Sequence, residues 1–190
     1  MELKGSMTEK SLLAAFAGES QARTRYTFFA SQAKKEGLEQ ISAIFIETAD
    51  NEKEHAALFF NHLQGGEAQI TASFPAGTVG STTQNLRAAA EGERMEWGTL
   101  YPGFADVAEK EGFKDIASTF RRVALVEDKH EKRYLKLLAN MESGQVFRRV
   151  NPVQWKCRNC GHVLTSTEAP TKCPVCLHDQ AYFELFVETY

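Results

Sequence analysis

The sequence predicts a mainly α protein: a four-helix bundle over residues 1–145, a linker over 146–152 and a small four-cysteine β knuckle domain over 153–190. Three observations carry that prediction. First, two Glu-x-x-His words, Glu52-Lys53-Glu54-His55 and Glu127-Asp128-Lys129-His130, each sit in a long stretch with helical spacing of apolar residues. Second, those stretches are copies. Lys35-Glu36-Gly37 through His55 recurs as Lys110-Glu111-Gly112 through His130, with Ile41 matching Ile116, Phe45 matching Phe120 and Ala49 matching Ala124. Third, all four cysteines lie near the carboxy terminus, as Cys157-x-x-Cys160 and Cys173-x-x-Cys176.

Ser6 and Glu9 have capping-box spacing, and Leu12, Leu13, Phe16 and Ala17 follow at helical intervals, so helix one runs to about Glu36 and stops at Gly37. Helix two spans about Leu38 to Leu63, with Gly65-Gly66 ending it. Residues 67–83 are rich in Gly, Ser and Thr, include Pro75 and lack a helical period. That is longer than a hairpin of neighbouring helices needs, so it reads as a long crossover, which could also let half of the bundle be exchanged with a second chain. Helix three covers about Gln84 to Glu111 and helix four about Lys114 to Met141. The second copy carries one extra residue between Glu93 and Tyr101 relative to Glu19 and Tyr26, and an inserted helical residue is often absorbed as a π-bulge beside a functional site; a kink is expected there. Ser143 to Gln154 loses periodicity, and Trp155-Lys156-Cys157 and Tyr182 to Phe186 read as short strands.

A net charge of -3 with no dense basic stripe argues against a nucleic-acid partner. No apolar run approaches a membrane span, and Met1-Glu2-Leu3-Lys4-Gly5 lacks the hydrophobic core of a signal peptide, so a cytoplasmic protein without a membrane partner is expected.

Residues three apart on a helix share a face, so each Glu-x-x-His aims a carboxylate and an imidazole at one point. Together with Glu19 and Glu93 from the other two helices they make the ligand set of ferritin-like di-metal carboxylate bundles. Glu96, one turn after Glu93, adds a fifth carboxylate where the first copy has Ala22. Five buried carboxylates would repel one another, and two cations remove that problem. Iron, manganese and zinc all accept such ligands. Tyr26 and Tyr101 recur at matching places and could donate hydrogen bonds to ligand carboxylates. Phe16, Phe28, Phe29, Phe45, Phe59, Phe60 and Phe120 read as core, and His62 as structural or exposed. In the tail, Cys157, Cys160, Cys173 and Cys176 supply four thiolates for one tetrahedral metal, zinc or iron. His162 and His178 lie beside them and read as surface residues. So short a tail should need its metal to fold.

With Ala17-Gly18-Glu19-Ser20-Gln21-Ala22, Glu93-Arg94-Met95-Glu96, the two Glu-x-x-His words and the paired cysteine knuckles in one chain, the sequence resembles the rubrerythrin family over nearly its whole length. The resemblance implies a ferritin-like bundle holding two irons and a rubredoxin-like domain holding a third, with zinc able to replace it. It implies a peroxidase that reduces hydrogen peroxide to water in oxidative-stress defence, supplied by an electron-donor protein such as a rubredoxin or a reductase, and working as a homodimer, with exchanged helices in some members. By that similarity Glu52 and Glu127 bridge the irons, Glu19, Glu93 and His130 are terminal ligands, and Glu96 and His55 alternate on one iron. Glu96, His55, Tyr26 and Tyr101 are then the candidate catalytic residues. Two other readings use the same residues: a ferroxidase or iron-handling protein using oxygen, and a binding protein with a zinc-ribbon tail.

Overall fold

The computed structural model describes residues 2–189 and contains α1 (Met7–Lys35), α2 (Glu39–Phe60), α3 (Thr82–Met95), a π-helical segment (Glu96–Leu100), α4 (Tyr101–Lys110) and α5 (Lys114–Glu142). Strands β1 (Arg148–Cys157), β2 (Val163–Glu168) and β3 (Phe183–Leu185) follow. The four predicted helices are present, the third of them divided by the π-segment into α3 and α4. That segment lies between Glu93 and Tyr101, where the second copy carries its extra residue, so the insertion is absorbed without breaking the helix. Helix two stops at Phe60, short of Leu63, and helix three starts at Thr82, ahead of the expected Gln84, because Ser81 and Gln84 form a capping box.

The duplication also explains how the halves are tied. Gly37 and Gly112 end their helices with φ of +74° and +89°, values that favour glycine. The glutamate before each glycine then caps the first helix of the other half. Glu111 accepts from the backbone N–H of Met7 and Thr8, at 3.1 and 2.8 Å, and Glu36 accepts from that of Thr82 at 3.1 Å. Each carboxylate sits where the positive end of a helix dipole favours it.

Two apolar layers fill the bundle and leave a gap between them. Tyr26, Phe29, Phe45, Leu86, Tyr134 and Leu138 form the layer at the Gly37 end, and Leu12, Phe59, Tyr101, Ile116, Phe120 and Val123 form the other. Every ligand word falls in the gap. Phe28 and Phe60 are exceptions to the predicted core, being 53% and 55% exposed. Each adjoins a buried phenylalanine, and one residue along a helix turns about 100° away from the core.

The tail sheet has the order β2-β1-β3, all antiparallel, with Trp155 opposite Leu164 on one side and Leu185 on the other. β1 begins at Arg148, so part of the stretch 146–152 read as linker is strand, pairing Arg148 with Glu168. Aperiodic polar sequence hid it, because most of its outer half faces solvent. Tyr182 closes a short 3-10 turn, leaving β3 to begin at Phe183. The tail rests on the turn between α1 and α2: a Cβ on Gly37 would lie 3.6 Å from that of Ala181.

Candidate metal centres

Each of the four long helical arms places one buried glutamate in the gap between the apolar layers: Glu19 from α1, Glu52 from α2, Glu93 from α3 and Glu127 from α5. His55 and His130 join them one turn beyond Glu52 and Glu127. The side chains resolve into two clusters whose ligand atoms lie within 4.8 Å of one another: Glu19, Glu52, His55 and Glu127, and Glu52, Glu93, Glu127 and His130. Glu52 and Glu127 belong to both. His55 Nδ1 lies 2.8 Å from Glu127 Oε1 and 2.9 Å from Glu52 Oε2, while His130 Nδ1 lies 2.8 Å from Glu127 Oε2 and 3.3 Å from Glu52 Oε1.

These contacts are short but not aligned as hydrogen bonds. Both oxygens of Glu52 and Glu127, one oxygen each of Glu19 and Glu93, and both Nδ1 atoms are buried without a hydrogen-bond partner. Buried polar atoms left unpaired are costly. Lone pairs converging on shared space from two sides fit a pair of cations, and the donor set suits them. The remaining carboxylate oxygens are held by tyrosines: Tyr26 Oη donates to Glu93 Oε1 at 2.6 Å, and Tyr101 Oη donates to Glu19 Oε1. The two copies cross over here, since each tyrosine serves the glutamate of the other half.

Glu96 stands apart from both clusters. It is half-buried at the start of the π-segment and borders a cleft. Burial, then the charges of Glu93, Glu127 and Glu52, push its carboxyl well above the ordinary range. Glu19 is raised likewise by burial and then by Glu96. Burial also lifts Glu93, to about 8. Against burial, which alone would lower them, neighbouring carboxylates led by Glu127 and Glu52 raise His55 to about 9 and His130 to about 12. The imidazoles and Glu93 therefore bind protons more tightly folded than unfolded. Their contribution to stability is complete below their ordinary values and is lost as pH rises through the folded ones. The melting temperature of metal-free protein should fall between pH 6.5 and 9, and that of metal-loaded protein should fall less, because ligation already requires neutral imidazole. Thermal scans across that range decide it; a rising metal-free melting temperature would exclude this protonation pattern.

One residue beside the site carried no sequence signal. Glu131, buried and next to His130, accepts from Trp97 Nε1 at 2.7 Å, and Arg94 Nη1 approaches its other oxygen at 3.4 Å. Arg94 and Trp97 flank Glu93 and Glu96 in the chain, so a single carboxylate on α5 staples both sides of the π-segment's start. Glu131→Ala should lower stability by about 1–3 kcal/mol, the cost of orphaning such a donor, and should weaken metal retention in the Glu93 cluster before the Glu19 cluster. Urea unfolding and chelator titration measure the two effects.

In the tail, Cys157 Sγ lies 3.7 Å from Cys176 Sγ, and Cys160 Sγ lies 3.6 Å from Cys173 Sγ. Tetrahedral coordination at about 2.3 Å from metal to sulfur gives edges of about 3.8 Å, so one ion fits without rearrangement. The knuckles are near copies: Cys157 N–H donates to His162 O and Gly161 N–H to Cys157 O, as Cys173 N–H donates to His178 O and Leu177 N–H to Cys173 O. Leu177, at φ +62°, holds the left-handed position that Gly161 fills in the first knuckle. The backbone N–H of His178 pulls the Cys176 thiol down to about 6, favouring the thiolate a metal needs. The His178 ring packs edge-on against Tyr182, and His62 bridges to Thr119 at 3.0 Å.

No helix among the described residues is long and apolar enough to cross a membrane. The pattern of the rubrerythrin family matches residues 10–138, and that of the rubrerythrin rubredoxin-like domain matches residues 155–184. The chain is 63% identical to a rubrerythrin of Porphyromonas gingivalis, covering 99% of this chain and 94% of that one. It is 52% identical to a rubrerythrin of Nitratidesulfovibrio vulgaris, covering 96% of each. Among solved structures, fully reduced, all-ferrous nigerythrin aligns over 97% of this chain and 89% of its own, with a TM-score of 0.64 and 31% identity. A bacterioferritin of Desulfovibrio desulfuricans, 17% identical, aligns over 73% of this chain and 82% of its own with a TM-score of 0.60, a likeness of fold alone. A ferritin-like bundle with a two-metal glutamate–histidine layer, followed by a four-cysteine rubredoxin-like domain, places the chain in the rubrerythrin family.

Proposed function

We propose that the protein is a cytoplasmic peroxidase that reduces hydrogen peroxide to water, taking two electrons and two protons per peroxide. One observation carries the reading: a single chain joins a buried layer of orphaned glutamate and histidine ligand atoms to four sulfurs set at tetrahedral spacing. Two irons in the bundle and one in the tail would supply the Lewis acidity and the electrons for cleaving the oxygen–oxygen bond. Glu52 and Glu127, common to both clusters, would bridge the pair, with Glu19, Glu93, His55 and His130 as terminal ligands and Glu96 waiting at the cleft. Tyr26 and Tyr101 fix the terminal carboxylates by donating to them. The two apolar layers flank the site with low-dielectric surroundings, which strengthens the charge interactions within it. Cys157, Cys160, Cys173 and Cys176 would hold the one-electron relay, fed by an electron-donor protein such as a rubredoxin or a reductase, in a homodimer.

The test is single-turnover reoxidation of anaerobically reduced, iron-loaded protein by peroxide and by oxygen in parallel. Faster reaction with peroxide is the expected result. Preference for oxygen, with added Fe(II) consumed as the electron source, would make the protein a ferroxidase. A red visible spectrum of the oxidised protein identifies iron in the tail, whereas zinc there is colourless.

A further inference from the structure

Beside Glu96 the chain encloses a cleft of about 440 Å³ between α1, the π-segment and residues 71–75 of the crossover. A water needs on the order of 15 Å³ of such space, and hydrogen peroxide little more. The cleft is far larger than hydrogen peroxide requires, and its walls are mostly wrong for it: Ala14, Ala15, Phe74, Met95, Leu100 and Phe104 present hydrocarbon. Polar side chains also line it, among them Lys10, Ser11, Gln21 and Ser73, and those that matter for the chemistry stand beside the metal layer. Glu96 and Tyr101 line it, and Tyr101 donates to the candidate ligand Glu19, so the cleft abuts the two-metal layer. Arg25, which also lines it, keeps a buried Nε–H with no acceptor. Hundreds of cubic ångströms of apolar wall with a few convergent polar groups is the form of a small-molecule site.

We propose that this cleft admits organic hydroperoxides, the apolar substituent lying against Phe74, Leu100 and Phe104 and the peroxide oxygens facing Arg25 and Glu96. The proposal rests on the peroxidase reading and widens its substrate class. The balance is that of the parent reaction: ROOH with two electrons and two protons gives ROH and water. The oxygen–oxygen bond breaks, and the electrons come from the same reduced protein that serves hydrogen peroxide.

Cumene hydroperoxide and hydrogen peroxide should be mixed separately with the anaerobically reduced, iron-loaded full chain. In parallel, binding of the product alcohol, 2-phenyl-2-propanol, is followed by saturation-transfer NMR on the full chain loaded with diamagnetic zinc. Ala14→Trp fills the cleft from the α1 wall. It is expected to abolish saturation transfer and to slow cumene hydroperoxide by about tenfold or more, the scale on which a pocket discriminates bulk, with the hydrogen peroxide rate unchanged. Ala72→Trp fills the same space from the crossover, outside the helices, and carries the same contrast if the α1 variant does not fold. Absence of alcohol binding to the parent chain, or equal slowing of both peroxides by the fillers, overturns the proposal. Should hydrogen peroxide itself fail to react, the peroxidase reading falls, and the alcohol-binding arm still decides whether the cleft takes an apolar oxygenated ligand.

Discussion

Glu127→Ala is expected to empty the bundle of both metals and to lower peroxide turnover by roughly 10³-fold, the equivalent of several kcal/mol of metal-supplied stabilisation. Glu127 touches both imidazoles, each at 2.8 Å, and is the residue besides Glu52 that belongs to both clusters. Its carboxyl works against burial, which alone would raise it, and is held below the ordinary range by His130 and His55. Removing it leaves Glu52 as the one carboxylate common to both buried imidazoles, and breaking such a buried pair costs about 3–5 kcal/mol. Glu19→Ala is the contrast, because Glu19 belongs to one cluster only and its loss should leave about half of the bundle metal in place. Metal analysis of the two purified variants, with Glu127→Gln as the shape-preserving control, separates them. Full metal content in Glu127→Ala would mean that the shared carboxylate bridges nothing.

Cys160→Ser should divide the reaction differently. It removes one sulfur from the tail while leaving the bundle layer untouched, so a single rapid oxidation of pre-reduced bundle metal should proceed at the parent rate. Turnover sustained by a reductant should fall by about a hundredfold or more, since altering even the partners of metal ligands costs 10–100-fold. Stopped-flow traces and steady-state assays on one preparation test this, and equal losses in both would contradict a relay through the tail. The variant should also make the tail protease-sensitive, because its core is little more than Trp155, Phe183 and the cysteines.

The bundle and the glutamate and histidine side chains it brings together were legible because duplication repeated each signal. Glu52 with His55 means little alone on a charged helix, but in register with Glu127 and His130 it fixes a face. The extra residue before Tyr101 was equally readable, and the π-segment is where it appears. Arithmetic along one chain could not show which partner each tyrosine takes, since the Tyr26–Glu93 and Tyr101–Glu19 bonds join different helices. Glu131 was hidden for the same reason: a glutamate beside an acidic motif looks solvated until Trp97 is seen to lie against it. Glu36 and Glu111 appear in the sequence only as the ends of their helices, and their cap partners lie 46 and 103 positions away. The strand beginning at Arg148 was lost because half-exposed polar strands carry little periodic signal.

The resting place of the tail has a consequence for rate laws. Ala181 lies against Gly37, and α1 carries Glu19 about 25 Å down the helix from that end at 1.5 Å per residue. If the tail's metal feeds the bundle as proposed, that separation along a rigid rod would make the reductive half-cycle run between the two chains of the proposed homodimer. Dilution to concentrations where the dimer dissociates should slow it, and a tandem fusion of two copies should hold its speed where the single polypeptide fades.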